Sequence, residues 1–249
     1  MENKKIKKTE TRGFTVLIAA AGISRRMKGI DKLLANLNGK PIIIHTLEKF
    51  ENHPWIDEIV LIVNENKLDI FQKLIKEREG CKLKKIIAGG KARWESVLYG
   101  LKQVETDFVL IHDGARPLVS RNLINSVIKN ASTDFACIPG LSVKETVKIV
   151  NRQGFVESTP PRKKLVGVQT PQLFKTKELI SAYKSMDFAE IDITDDAQVY
   201  ELAGGKIKVI PGEENNIKVT TPEDLEIAEF LIKKFSGDLN HNIKNKDNL

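Results

Sequence analysis

Cysteine is scarce in this chain, occurring only at Cys81 and Cys137 in 249 residues and in no C-x-x-C pair. That excludes a disulfide framework and a thiol redox motif, and it suits a reducing, cytoplasmic setting. The four histidines, His45, His53, His112 and His241, fall in no zinc-ligand spacing, which argues against a structural zinc. No apolar run approaches the roughly 18–20 residues a membrane helix needs. Residues 1–8 lack the apolar stretch of a signal peptide. Aromatic residues make up only 6%, so the basic face with interleaved aromatics of a nucleic-acid binder is missing. The net charge of +7 points the other way, but three of those charges lie in residues 1–12. The rest is spread among side chains of both signs. Neither nucleic acid nor membrane is expected as a partner, and mild positive charge suits an enzyme that handles phosphates.

What is present describes an ordinary globular chain, 41% hydrophobic and 29% charged. Residues 1–12 and 236–249 are polar and read as flexible tails. Between them, Thr15-Val-Leu-Ile-Ala-Ala, Glu58-Ile-Val-Leu-Ile-Val, Lys85-Ile-Ile, Phe108-Val-Leu-Ile and Phe135-Ala-Cys-Ile-Pro are short β-branched runs. Their length and composition favour buried strands. Segments 41–50, 67–79, 93–103 and 121–130 show helical periodicity. The alternation gives an α/β fold, a Rossmann-like and mostly parallel sheet flanked by helices. After Pro139 the rhythm breaks. Residues 141–165 read as a β-hairpin arm, with Val143 to Val150 as an exposed strand, or else as a long surface loop. Further on, Ile207-Lys-Val-Ile and Ile217-Lys-Val read as two short strands flanking Pro211-Gly212. Thr221-Pro222-Glu223-Asp224 then opens a capped helix expected to reach about Lys234.

Chemistry in an open parallel sheet sits beyond the C-terminal strand ends. The first such end, Ala19-Ala20-Ala21-Gly22-Ile23-Ser24-Arg25-Arg26, is neither a dinucleotide fingerprint nor a P-loop. Its small residues let a backbone approach a polyphosphate, with Arg25, Arg26 and Lys32 to neutralise it. A tight turn with solvated basic residues is the alternative. Gly89-Gly90-Lys91-Ala92-Arg93 follows the third strand and opens a helix bearing Ser96. His112-Asp113-Gly114-Ala115-Arg116 follows the fourth. Asp113 suits a Mg²⁺ ion near phosphates, or simply a turn before glycine. Lys218 lies in the strand before the capped helix.

Ala20-Ala21-Gly22 with Arg26-Met27, Gly89-Gly90 with Arg93 and Ser96-Val97, and His112-Asp-Gly-Ala-Arg-Pro together resemble the 2-C-methyl-D-erythritol 4-phosphate cytidylyltransferase family. So do Val143-Lys-Glu-Thr, Gln169-Thr-Pro-Gln, Thr194-Asp-Asp-Ala and Asn216-Ile-Lys-Val-Thr-Thr-Pro-Glu-Asp-Leu. The resemblance implies a single nucleotidyltransferase domain over 14–234, with an arm at about 141–165. It implies transfer of a cytidylyl group from CTP to methylerythritol phosphate, with Mg²⁺ or another divalent cation, in a homodimer. It further implies CTP binding by Ala20, Ala21, Gly22, Gly90 and Ser96, and charge stabilisation at the α-phosphate by Arg26 and Lys32. Asp113, Arg116, Thr146 and Thr170 would form the methylerythritol phosphate pocket. Arg162 and Lys218 would orient the attacking phosphate. The loop before Lys32 is one residue shorter than in many members and has Asp31 where they have proline, which leaves Lys28 as the weaker alternative. Leu165-Val166 stands where many members have Leu-Trp. Ribitol-5-phosphate cytidylyltransferase is the nearest rival, and Gly114-Ala115 after Asp113 favours the methylerythritol enzymes.

Overall fold

In strand β1 (Phe14–Ala20), side chains point alternately to two faces, and each face is apolar. Phe14, Val16, Ile18 and Ala20 join one buried cluster, whereas Leu17 joins another. The same split recurs in β4 (Glu58–Val63) and β6 (Phe108–Asp113), where alternate residues enter opposite clusters. A strand apolar on both faces must be covered on both. Here α1 (Ile42–Glu51), α2 (Leu68–Lys76) and α4 (Arg121–Lys129) cover one side. The other side carries α3 (Arg93–Leu101), α5 (Thr176–Ser185) and α6 (Asp196–Leu202). This is a computed structural model, and it describes residues 13–23, 25–27, 31–76, 82–188 and 191–235. The regions read as tails lie outside them, as do Ser24, residues 28–30 and Cys81.

The main sheet has eight strands. β1 pairs in parallel with β4 on one side and β6 on the other, and β4 pairs in parallel with β5 (Leu83–Ala88). Beyond β6 lies antiparallel β11 (Gln172–Lys175), then β7 (Ala136–Ser142). β7 also pairs with β10 (Val166–Val168) and with β12 (Ile207–Pro211). The chain leaves β1 toward β4 and β5, then returns to β6 on the opposite side. That reversal opens a crevice at the strand ends around β1.

A third apolar cluster lies beside this sheet. There α7 (Pro222–Phe235) packs Ala228 against Leu37 and Ile42, near the two-residue strands β2 (Asn36–Leu37) and β3 (Lys40–Pro41). The cap of α7 forms as its residues imply. Thr221 Oγ1 accepts from the Asp224 N–H at 3.3 Å, and Asp224 Oδ2 accepts from the Thr220 and Thr221 N–H groups at 2.8 and 2.9 Å.

Two strand expectations need correction. Only Ile149–Val150 of the segment 143–150 forms a strand, β8, pairing antiparallel with β9 (Val156–Ser158). The turn between them is built by Asn151, whose Oδ1 accepts from the Gln153 and Phe155 N–H groups at 3.0 Å each. Residues 217–219 form no strand. Val219 gives its N–H to the Ala115 carbonyl at 2.8 Å and buries its side chain under α7, so the alternation there reflects a docked loop.

Candidate active site

The end of β1 is made close-fitting by small residues. A Cβ on Gly89 would fall 2.5 Å from Ala21 Cβ and 2.7 Å from Ser96 Oγ, so only glycine lets the loop after β5 lie against the loop after β1. Ser96 then fixes the glycine pair, its hydroxyl accepting from the Gly90 N–H at 3.0 Å and donating to the Ala92 carbonyl at 2.9 Å. Between these loops opens a cleft of about 470 Å³. Its walls bring together Ala20, Ala21, Gly22, Arg26, Lys32, Gly90, Ser96, Asp113 and Lys218, drawn from five separate stretches of sequence. The side chain of Arg25 lies outside the described residues, as does Lys28.

Asp113, at the end of β6, is the one carboxylate among the described lining residues. It is 7% exposed, and its Oδ2 meets Lys218 Nζ at 3.0 Å and Arg116 Nε at 3.2 Å. Burial pushes its carboxyl upward, but Lys218, Arg116 and Arg93 outweigh that and hold it well below the usual range. Lys32 is shifted downward by burial, then by the charges of Lys218 and Arg26. Cations crowded in this way favour an arriving anion.

Behind Asp113 stands a sequence of hydrogen bonds that fixes its backbone. His112 is fully buried against Phe50, and burial lowers its pKa to about 4, so the ring is neutral. Its Nε2 lies 3.2 Å from the Arg116 carbonyl, which can only accept, so Nε2 carries the proton. Nδ1 then accepts from Thr170 Oγ1 at 2.9 Å, and Thr170 Oγ1 accepts the Asp113 N–H at 3.1 Å. Asn216, wholly buried, donates to the Thr170 carbonyl at 2.8 Å while its own carbonyl accepts from Arg116 at 2.7 Å. Arg116 and Thr170 therefore support Asp113 from behind and do not form the cleft wall. Thr146 and Arg162 are elsewhere. Arg162 donates to the Lys144 carbonyl at 2.6 Å and lines a separate, open cavity of about 900 Å³ beside β7 and β12.

Sequence reasoning assigned no role to Arg93, yet it lines the cleft at the first position of α3. Its Nη2 meets Asp196 Oδ2 at 2.6 Å. Its place after the glycine pair was a signal, but its partner lies 103 residues away. The cleft has no nucleophile paired with a general base among its described lining residues. Its chemistry is to hold a polyanion, neutralise it and align a second phosphate.

The family model for IspD, 2-C-methyl-D-erythritol 4-phosphate cytidylyltransferase, matches residues 14–234. This chain belongs to the IspD family. Among its relatives, the 2-C-methyl-D-erythritol 4-phosphate cytidylyltransferase of Clostridium botulinum is 40% identical over 222 residues, 88% of this chain and 99% of that protein. The Dehalococcoides mccartyi protein of the same name is 43% identical over 219 residues, 88% of this chain and 95% of that one. Among solved structures, the 4-diphosphocytidyl-2C-methyl-D-erythritol synthase of Anaerococcus prevotii superposes with a TM-score of 0.78 at 30% identity. That superposition covers 89% of this chain and 96% of the other. The IspD relationship thus spans both cores, the cleft and the hairpin.

Proposed function

We propose that this chain transfers a cytidylyl group from CTP to 2-C-methyl-D-erythritol 4-phosphate, releasing pyrophosphate, in isoprenoid precursor synthesis. The observation that carries the reading is the convergence of Arg26, Lys32, Asp113 and Lys218 with the Gly90–Ser96 loop in one cleft. A phosphate oxygen of the acceptor attacks the α-phosphorus in line. The new P–O bond forms as the bond to the β-phosphate oxygen breaks, and the pyrophosphate carries away the electron pair. Ala20, Ala21 and Gly22 present backbone to the triphosphate, while Gly90 and Ser96 face the cytosine. Arg26 and Lys32 stabilise the negative charge that builds at the transferring phosphoryl group. Lys218, with Arg162, orients the attacking phosphate. Asp113, with Arg116 and Thr170 bonded around it, shapes the acceptor pocket, and Thr146 joins it from the arm that carries Arg162.

A lone carboxylate fits Mg²⁺, which takes one or two carboxylates and fills its shell with water and phosphate oxygens. Asp113 would hold it, and when bound it supplies further charge neutralisation to the phosphates. The active unit is a cytoplasmic C₂ homodimer. The support for a dimer is the hairpin's exposed Ile149, Val150, Phe155 and Val156, together with the placement of Arg162 in another cavity than the cleft, which suits service to a partner's cleft.

Pyrophosphate release, followed with CTP and each polyol phosphate offered separately, tests the reading. Release is expected with methylerythritol phosphate, to fall sharply with ATP or GTP, and to stop in excess chelator. Faster turnover of ribitol 5-phosphate would move the chain to the rival activity.

A further inference from the structure

The motif Thr194-Asp195-Asp196-Ala197 has no part in the chemistry above, yet it holds a carboxylate with no exposed surface. Burying such a charge costs several kcal/mol unless it is closely paired. Asp196 is paired twice. Oδ2 accepts from Arg93 Nη2 and Oδ1 accepts from Tyr183 Oη, each at 2.6 Å. The Arg93 it holds is partly open to the cleft and begins α3, directly after the loop carrying Gly90 and three residues before Ser96. The neighbouring Trp94 stacks on Phe188 at 4.0 Å, so the start of α3 is fixed to the segment leading into α6 at two points.

Asp195 faces another way. Its Oδ1 caps α6 through the Gln198 N–H at 2.8 Å, and its Oδ2 accepts from Gln172 Nε2 at 2.8 Å. Gln172 Oε1 in turn accepts from the Ala197 N–H at 3.2 Å. The first residue of β11 is thereby gripped by the first turn of α6. Two residues before it stands Thr170, which bonds the Asp113 backbone.

We infer that Asp195 and Asp196 are positioning residues with divided duties. Asp196 sets the nucleotide half of the cleft through Arg93, and Asp195 sets the acceptor half through Gln172. This rests on the functional reading given above, and it predicts a separation that a general stabilising role does not produce.

The test compares Asp196→Asn, Asp195→Asn and Arg93→Lys in the full-length protein, by steady-state kinetics and by calorimetric CTP binding. Asp196→Asn should raise the KM and Kd for CTP about tenfold while the acceptor KM stays within about twofold. Asparagine caps a helix as well as aspartate, but it sets an amide donor against the Gln172 amide. Asp195→Asn should therefore raise the acceptor KM and leave CTP binding unchanged. Arg93→Lys should reproduce the CTP defect, and adding Asp196→Asn to it should bring little further loss. Equal rises of both KM values in each variant, or additive losses in the double variant, would overturn the inference and leave the functional reading intact. An unmodified protein that turns over neither substrate would overturn both.

Discussion

Lys32 shows what one residue contributes here. Its titration is shifted downward by burial and by the neighbouring Lys218 and Arg26, so in the proposed reaction it would act as a poorly hydrated charge in the cleft. Lys32→Ala is expected to lower kcat about 10²–10³-fold, some 3–4 kcal/mol, with a smaller change in CTP affinity. Single-turnover kinetics with calorimetry check this, and a near-wild-type Lys32→Ala would shift the role to another lysine. Arg26 and Lys32 were legible in sequence because they follow the small residues at the end of β1, and Lys218 because it lies in a family motif. Their partners were not. Arg93 meets Asp196 across 103 positions, Arg116 bonds the Asn216 carbonyl across 100, and Thr170 bonds the Asp113 backbone across 57. Pairing over such separations is set by the fold, and no local pattern encodes it.

Among the elements, those with strong local signals were readable. The runs of β1, β4 and β6 are apolar on both faces, which fixes them as central strands. The start of α7 was readable from its cap, and that cap carries a test. Burial raises the Asp224 carboxyl, but hydrogen bonds from Thr220 and Thr221 outweigh this and lower it. A depressed carboxylate stabilises the fold above its ordinary value near 3.8 and loses that contribution as pH falls through its folded value. Asp224→Ala should cost about 1 kcal/mol at pH 7, and the difference should shrink toward pH 3. Urea denaturation of both proteins at the two pH values measures it. Short elements escaped notice. β11 has four residues and owes its existence to pairing with β6. Ile217-Lys-Val alternates because one side is covered by α7, so a docked loop and a strand look alike in sequence.

For the whole molecule, the hairpin raises the question of assembly. A two-stranded hairpin is marginal in water by itself, and this one exposes Phe155 at 70% and Val156 at 58%. If a partner covers it, sedimentation should give a dimer. Mixing Arg162→Ala with Lys218→Ala protein, after dissociation and reassociation, should then restore part of the activity, because each heterodimer contains one cleft with both residues intact. No recovery in mixtures shown to have exchanged subunits would argue that Arg162 serves its own chain.

Among the described lining residues, the cleft sets Arg26, Lys32, Lys91, Arg93 and Lys218 against one carboxylate, that of Asp113. Low-dielectric walls around charges of one sign focus their field outward, so the opening acts on a nucleotide triphosphate before contact. Capture and conversion should therefore part company as salt is added. Raising ionic strength from about 0.02 to 0.3 M shortens the screening length severalfold, which should slow association and lower kcat/KM for CTP steeply. Once the nucleotide is bound in the cleft, bulk salt screens its phosphates much less, and kcat should hold nearly level.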